Sequence, residues 1–207
     1  MRRKEFSIEE QTEIETFLEQ QTFGYLSTAG DEGWPHVKPL NFVYQNGHVY
    51  FHGSRSGEKM RDLKRDSKAV FTTAREFALI PSYFTDDVYA CPATSFFKSV
   101  QIRGHVELVE DLYEKANVFE RFMRKLQPEG GYMPFDAEDP GYAGQLKAVA
   151  LMKLIPVECT AKFKFGQNKS ADELQAVMNG LAERGLPDDQ ETVEMMKKYC
   201  PHHQGQG

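Results

Sequence analysis

The sequence predicts a mainly β, α+β protein, and three observations carry that reading. Asn46-Gly47 separates the alternating runs 36–44 and 48–53. That is the strongest short-range hairpin signal, because a type I′ turn needs positive φ at both central residues. Residues 98–109 read as a strong strand, 22–29 alternate, 68–74 are rich in β-branched residues, and 149–158 and 160–165 give two last strands. Helical periodicity is confined to the N-terminus, two connections and the C-terminal third. At 207 residues, 40% apolar and 27% charged, the chain suits one globular domain with appendages.

From the N-terminus, Ser7-Ile8-Glu9-Glu10 reads as a capping box. Ile8, Ile14, Phe17 and Leu18 form an apolar stripe on the helix it would open. Residues 22–29 give a first strand and 30–33 a turn, followed by the hairpin. Residues 58–66 form a short helix that turns Met60 and Leu63 inward, and 68–74 form a strand. Between 76 and 96 apolar residues are interrupted by Pro81, Asp86-Asp87 and Pro92, which predicts a loop or insertion. A strand over 98–109 and an amphipathic helix over 111–126 come next. The Gly-, Pro- and Asp-rich stretch 127–145 reads as a long loop, a lid or a mobile segment. Strands at 149–158 and 160–165 follow. Ser170-x-x-Glu173 then caps a helix over 171–184, stopped by Gly185 and Pro187, and a last helix spans 189–199.

Charge and cysteine usage exclude several classes. A net charge of −6 and a pI near 5.6 argue against a general nucleic-acid footprint, and no helix-turn-helix pattern appears. The longest apolar run, 148–157, is broken by Lys153 and Pro156 and falls well short of the ~20 residues that span a bilayer. The basic start has no apolar core behind it, so no secretory signal is predicted. Cys91, Cys159 and Cys200 show neither a disulfide framework nor a zinc spacing, which predicts reduced thiols and a cytoplasmic protein. Cys200-Pro201-His202-His203 offers three soft ligands without a fourth, so it reads as a frayed tail and no metal is expected.

The chemistry concentrates after the hairpin. Gly53-Ser54-Arg55-Ser56-Gly57 offers backbone N–H groups, two hydroxyls and a guanidinium, and Lys59 and Arg61 lie in the first turn of the following helix. A helix N-terminus with cations beside it suits an anion, phosphate above all. A purely structural turn of the same composition is the competing reading.

The strand 36–44, the hairpin, Tyr50-Phe51-His52-Gly53, Gly57-Glu58-Lys59 and the block 97–109 occur in an order and spacing that resembles the FMN-binding split-barrel proteins. This is the pyridoxamine-5′-phosphate-oxidase-like group, and the likeness is nearest its nitroimidazole-resistance branch over roughly residues 8–160. The run 162–170 is similar to a segment of FMN-binding negative transcriptional regulators, a sister branch. The resemblance implies a six-stranded antiparallel split β-barrel over 1–165 with flanking helices, and a helical extension over 166–207. It implies FMN at the interface of a homodimer. Lys38, Pro39, Leu40 and Asn41 would lie beside the isoalloxazine, largely through backbone. Phe51, His52, Gly53 and Ser54 would line the ribityl-phosphate channel, with Lys59 on the phosphate, and Lys98, Ser99 and Val100 would close the site. His52 would face the substrate and donate a proton, the catalytic role expected here; a purely structural histidine is the alternative. For Lys38 and Lys98 the lesser alternative is a strand residue that simply faces solvent. No Arg-x-His motif occurs, so oxidation of vitamin B6 is not expected.

The function that follows is an FMN-dependent oxidoreductase. It would carry reducing equivalents from NAD(P)H to a small electron-poor acceptor, a nitroaromatic or quinone. A non-catalytic FMN-binding regulator is the alternative that 162–170 favours. A haem-binding split barrel, with His52 or His105 as axial ligand, is the other, although a phosphate turn has no use there. No nucleic-acid or membrane partner is expected.

Overall fold

A computed structural model describes residues 3–200. Eight strands and six α-helices follow one another. They are β1 (Ser7–Ile8), α1 (Gln11–Gln20), β2 (Phe23–Ala29), β3 (Pro35–Asn41), β4 (Val43–Gln45), β5 (His48–Gly53) and α2 (Glu58–Arg65), then β6 (Lys68–Ile80), β7 (Thr94–Val109), α3 (Leu112–Leu126), α4 (Pro140–Ala148), β8 (Ala150–Lys164), α5 (Ala171–Arg184) and α6 (Asp189–Tyr199). The sheet runs β3-β2-β6-β7-β8-β5-β4, with β1 added on β8. Pairings of β2 with β3 and β6, and of β5 with β4 and β8, are antiparallel. The path is open, with β3 and β4 at its ends, as a split barrel requires. It holds eight strands where six were expected.

Two compact units divide these elements, with boundaries inside β6, β7 and β8. Residues 10–73 and 100–160 form one. Within it, Val43, Tyr50, Val109, Val118, Phe122 and Leu151 make a continuous apolar cluster. Segments up to residue 9, 74–99 and from 161 form the other. Its core holds Phe6, Phe77, Phe96, Phe163, Phe165, Leu174, Val177 and Leu181, all nearly excluded from solvent. There α5 takes the expected capping box, with Ser170 and Glu173 bonded reciprocally, and ends at Gly185 in the left-handed region (φ 62°).

The hairpin forms as its chemistry dictates, Asn46 and Gly47 taking φ of 50° and 80°. Its first arm is not one strand, however. β3 pairs with β2 and β4 with β5, the chain changing partner at Phe42, whose N–H donates to Thr22 O (3.2 Å). Pro35 and Pro39 explain this, since neither can donate to a second neighbour and β3 must be an edge. The Ser7 capping box does not form. Ser7 and Ile8 pair with Lys162 and Ala161 instead, and α1 begins after Glu10 without a side-chain cap. The run 76–96 begins as strand, β6 continuing to Ile80 before the irregular stretch. The predicted loop 127–145 is shortened by α4, where Asp139 caps the N–H groups of Gly141 and Tyr142 and Pro140 takes the first turn. The last two predicted strands are one, β8. Pro201, His202 and His203 lie outside the described residues. No helix among the described residues is long and apolar enough to cross a membrane.

Candidate functional site

The edge strand β3 is half covered on one face and exposed on the other. His36, Lys38 and Leu40 point one way, and Pro35, Val37, Pro39 and Asn41 the other. Of the first set, His36 and Lys38 meet α2. Lys38 pairs with Glu58, and His36 Nε2 lies 3.5 Å from the same carboxylate. His36 Nδ1 is 2.7 Å from Asp62 Oδ2, which also accepts from Thr28 Oγ1 (2.8 Å), while Arg65 stands 3.6 Å from Oδ1. Asp62 is only 2% exposed. Burial pushes its carboxyl up, but the bonds from His36 and Thr28 and the charges of His36 and Arg65 outweigh it and hold the group below the usual range. Glu58 is likewise held low, chiefly by its bond from Lys38.

A group with its pKa depressed in the fold contributes stability that is present above the unfolded value and lost as pH falls through the folded one. Asp62→Asn is therefore expected to lower stability by about 1.5 kcal/mol near pH 7 and by much less near pH 3. Urea midpoints at the two pH values check it. An equal deficit at both would show that the charge contributes nothing.

The turn after β5 is built from small residues for a reason. Gly57, which caps α2, has φ 109°, a conformation closed to other side chains. Ser54 Oγ accepts from the Ser56 N–H (3.2 Å) and meets Ser56 Oγ at 3.1 Å. A Cβ on Gly53 would stand 2.9 Å from Lys59 Nζ, so the glycine admits the ammonium against the backbone. Nζ also lies 5.2 Å from the Phe51 ring centroid. Burial pushes the Lys59 amine below its ordinary value. Among the described residues no carboxylate stands within ion-pairing distance of it. Two hydroxyls, the start of α2 and an unneutralised, half-buried cation thus belong to one short stretch of chain, 53–59.

Arg55 does not join them. Its guanidinium donates to Lys147 O (2.9 Å) and Ala148 O (3.3 Å) at the end of α4 and pairs with Glu110 at 3.2 Å. That places a cation on the negative end of a helix and takes it out of the expected cradle.

His52 keeps an exposed edge while its ring packs against Phe122 (5.1 Å, edge-on) and Phe119 (5.5 Å) of α3. Burial, then the charge of Lys59, push its pKa down, which favours the neutral ring at neutral pH.

The remaining predicted residues divide. Phe51 and Val100 are fully buried, so their side chains serve the core and only Phe51 touches the cradle, as the floor under Lys59. Pro39 and Asn41 are exposed on the other face of β3, where Asn41 Nδ2 donates to Thr22 O (3.0 Å). Leu40 is half-buried on the α2 side. Lys98 and Ser99 fall in the other compact unit. There Lys98 Nζ is set among rings, 4.8 Å from Phe163, 5.3 Å from Tyr199 and 5.5 Å from Phe77, so it does not simply face solvent. His36, Glu58 and Asp62 escaped the sequence reading. Their signal was the i, i+2 spacing of His36 and Lys38 on a strand opposite the i, i+4 carboxylates of a helix.

A profile of the pyridoxamine 5′-phosphate oxidase family matches residues 10–163, and the chain belongs to that family. Among solved structures it is similar to a candidate 5-nitroimidazole antibiotic resistance protein from Bacteroides thetaiotaomicron, at 26% identity and a TM-score of 0.59, over 75% of this chain and 85% of that one. A flavocytochrome from Azotobacter vinelandii shares the fold at 23% identity and a TM-score of 0.63, over 77% and 69% of the two chains. A FAD and haem binding protein from Mycobacterium smegmatis shares it at 16% identity and a TM-score of 0.62, over 83% and 79%. Among curated proteins none matches the chain.

Proposed function

We propose that this chain is an FMN-binding oxidoreductase, acting as a homodimer, that reduces a small electron-poor acceptor of nitroaromatic or quinone type with a nicotinamide donor. One observation carries the reading. Lys59 is a half-buried cation without a carboxylate partner among the described residues, in the first turn of α2 and held against Gly53 and Phe51 at the turn that carries Ser54 and Ser56. A dianionic phosphate supplies the charge that Lys59 lacks and accepts the free N–H groups of the helix, so the residues present fit FMN. The bound flavin would supply two-electron redox chemistry. The chain's own part is to anchor the phosphate through Lys59 and to present the neutral His52 ring to the reacting edge. The likeness to the Bacteroides thetaiotaomicron protein, candidate for 5-nitroimidazole resistance, supports a nitroaromatic acceptor. The homodimer is supported by an open apolar face on β2 and β3, where Phe23, Tyr25 and Val37 are each about half exposed.

The run 162–170, which favours a regulator, has local structural work. Gln167 bonds the Phe165 N–H (2.8 Å) and Phe163 O (2.7 Å), and Ser170 caps α5.

The test is anaerobic reduction of the FMN-loaded protein by NADPH or NADH, followed by addition of a nitroimidazole or benzoquinone. Reoxidation at least tenfold faster than by air alone is expected. A protein that binds FMN but shows no acceleration by any acceptor overturns the enzymatic reading and leaves a flavin-binding regulator. A Soret band on purification would move the case to haem.

A further inference from the structure

We propose that a second anion site, built by the run 162–170 and the chain's N-terminal segment, binds the dianionic phosphate group of a phosphorylated small molecule. None of its residues belongs to the turn around Lys59, so it goes beyond the flavin reading and does not depend on it.

The site follows from strand geometry. Lys162 and Lys164 are two residues apart on β8, so both project from the face opposite the buried Ala161, Phe163 and Phe165. Gly166 then turns the chain with φ 95°, and the Lys169 N–H closes the turn on Gly166 O (2.8 Å). No larger residue fits at 166, because a Cβ would lie 2.9 Å from Leu174 and 3.1 Å from Phe96. The turn returns Lys169 to the same side, its side chain only 10% exposed. From the N-terminal segment, fixed by the pairing of Ser7 with Lys162, comes Arg3. These four cations, with Thr94 and Asn168, line one cavity of about 470 Å³.

The charges there do not balance. Glu5 stands 4.0 Å from Arg3, and Glu173 stands 3.6 Å from Lys169 while it also bonds Ser170. Among the described residues no carboxylate stands within ion-pairing distance of Lys162 or Lys164. Lys162 instead lies over the rings of Phe6 (5.6 Å) and Phe97 (5.2 Å), and Lys164 donates to the Thr94 hydroxyl. Four cations against two carboxylates leave two positive charges, in a protein whose net charge is −6. A phosphate monoester at neutral pH carries about −1.5 to −2, which matches. The crowding is felt by the amines themselves. Burial, then the charges of Lys162, Arg3 and Lys169, push Lys164 below its ordinary value. The lining is cationic and hydrogen-bonding, and the cavity has room for more than the phosphate alone.

Calorimetric titration of inorganic phosphate and of 5′-AMP into the full chain, supplied with one equivalent of FMN so that none is left over to compete, tests the site. Saturable binding is expected, weakened at least tenfold by Lys162→Gln and by Lys164→Gln and unchanged by Lys59→Ala. AMP binding much tighter than phosphate would name an ester as the ligand; equal binding would name the free anion. Relief of like-charge crowding should leave the melting temperature of Lys164→Gln equal to or above that of the wild type. Should a lysine variant fail to fold, the half-exposed Arg3→Gln carries the same expectation. The proposal is overturned if neither anion gives a saturable heat. It is equally overturned if binding survives the lysine variants and disappears with Lys59→Ala, which would mean that the anion had entered the other cradle.

Discussion

Gly104→Ala is expected to destabilise the protein by about 3 kcal/mol or more. A Cβ at this position would sit 2.0 Å from Ile155 O, 2.8 Å from Ile155 C and 3.1 Å from Pro156 Cα. All three are backbone atoms of β8, so no rotamer change relieves the clash and the strand itself must move. That movement would disturb Leu151, Met152 and Leu154, which are buried on the same strand and fill the core of their unit. Gly144→Ala is the matched control with the opposite sign. It lies inside α4 with nothing within 4 Å of the added methyl, and alanine there should stabilise by about 0.5–1 kcal/mol. Urea midpoints of the two variants decide. A Gly104→Ala protein within 1 kcal/mol of the wild type would mean that the β7–β8 approach yields at little cost.

The position of Gly104 in the block 97–109 was legible as part of a strand, but its reason was not, because the partner lies fifty residues on. The same division runs through the molecule. Asn46-Gly47, the Ser170–Glu173 box and the Gly185 stop were legible because each is decided by residues within one turn. Ser7-x-x-Glu10 carries the same local signal as Ser170-x-x-Glu173 and fails, since Ser7 and Ile8 gain a β8 partner that a cap cannot match. The run 36–44 was read as one strand because its alternation is continuous; only the sheet shows that Pro35 and Pro39 confine its first part to an edge. α4 was lost in a Gly- and Pro-rich composition, although Asp139-Pro140 is a sound helix start. At the candidate site, the small-residue turn 53–57 and the place of Lys59 in the first turn of α2 were legible as local chemistry. The withdrawal of Arg55 to α4 was not, nor the clasp of β3 on α2 through His36, Lys38, Glu58 and Asp62. Those contacts join residues 20 or more positions apart and depend on a register that composition does not encode.

Lys59→Ala is expected to weaken FMN binding about a hundredfold, or about 2.7 kcal/mol, while leaving the fold intact. The lysine has a different effect in each state. Without an anion its charge is half-buried against Gly53 and Phe51 and has no carboxylate partner among the described residues, so removing it relieves a desolvated cation. The melting temperature of the flavin-free variant should therefore equal or exceed that of the wild type. With a phosphate present, the same cation would make a charge-assisted hydrogen bond in a partly dry setting, and that contact is what the variant would lose. Riboflavin, which has the ring and no phosphate, separates the two effects: wild type and variant should bind it equally. Arg55→Ala supplies the internal contrast, for its guanidinium is committed to Glu110 and the end of α4, and FMN affinity should change by less than about threefold. Fluorescence-quenching titrations of FMN and riboflavin against the three proteins read all of this directly. If Lys59→Ala weakens riboflavin as much as FMN, the lysine serves the ring or the fold and the phosphate assignment fails. If Arg55→Ala proves the more damaging variant, the guanidinium must leave α4 on binding, and the cradle closes around its ligand rather than standing preformed.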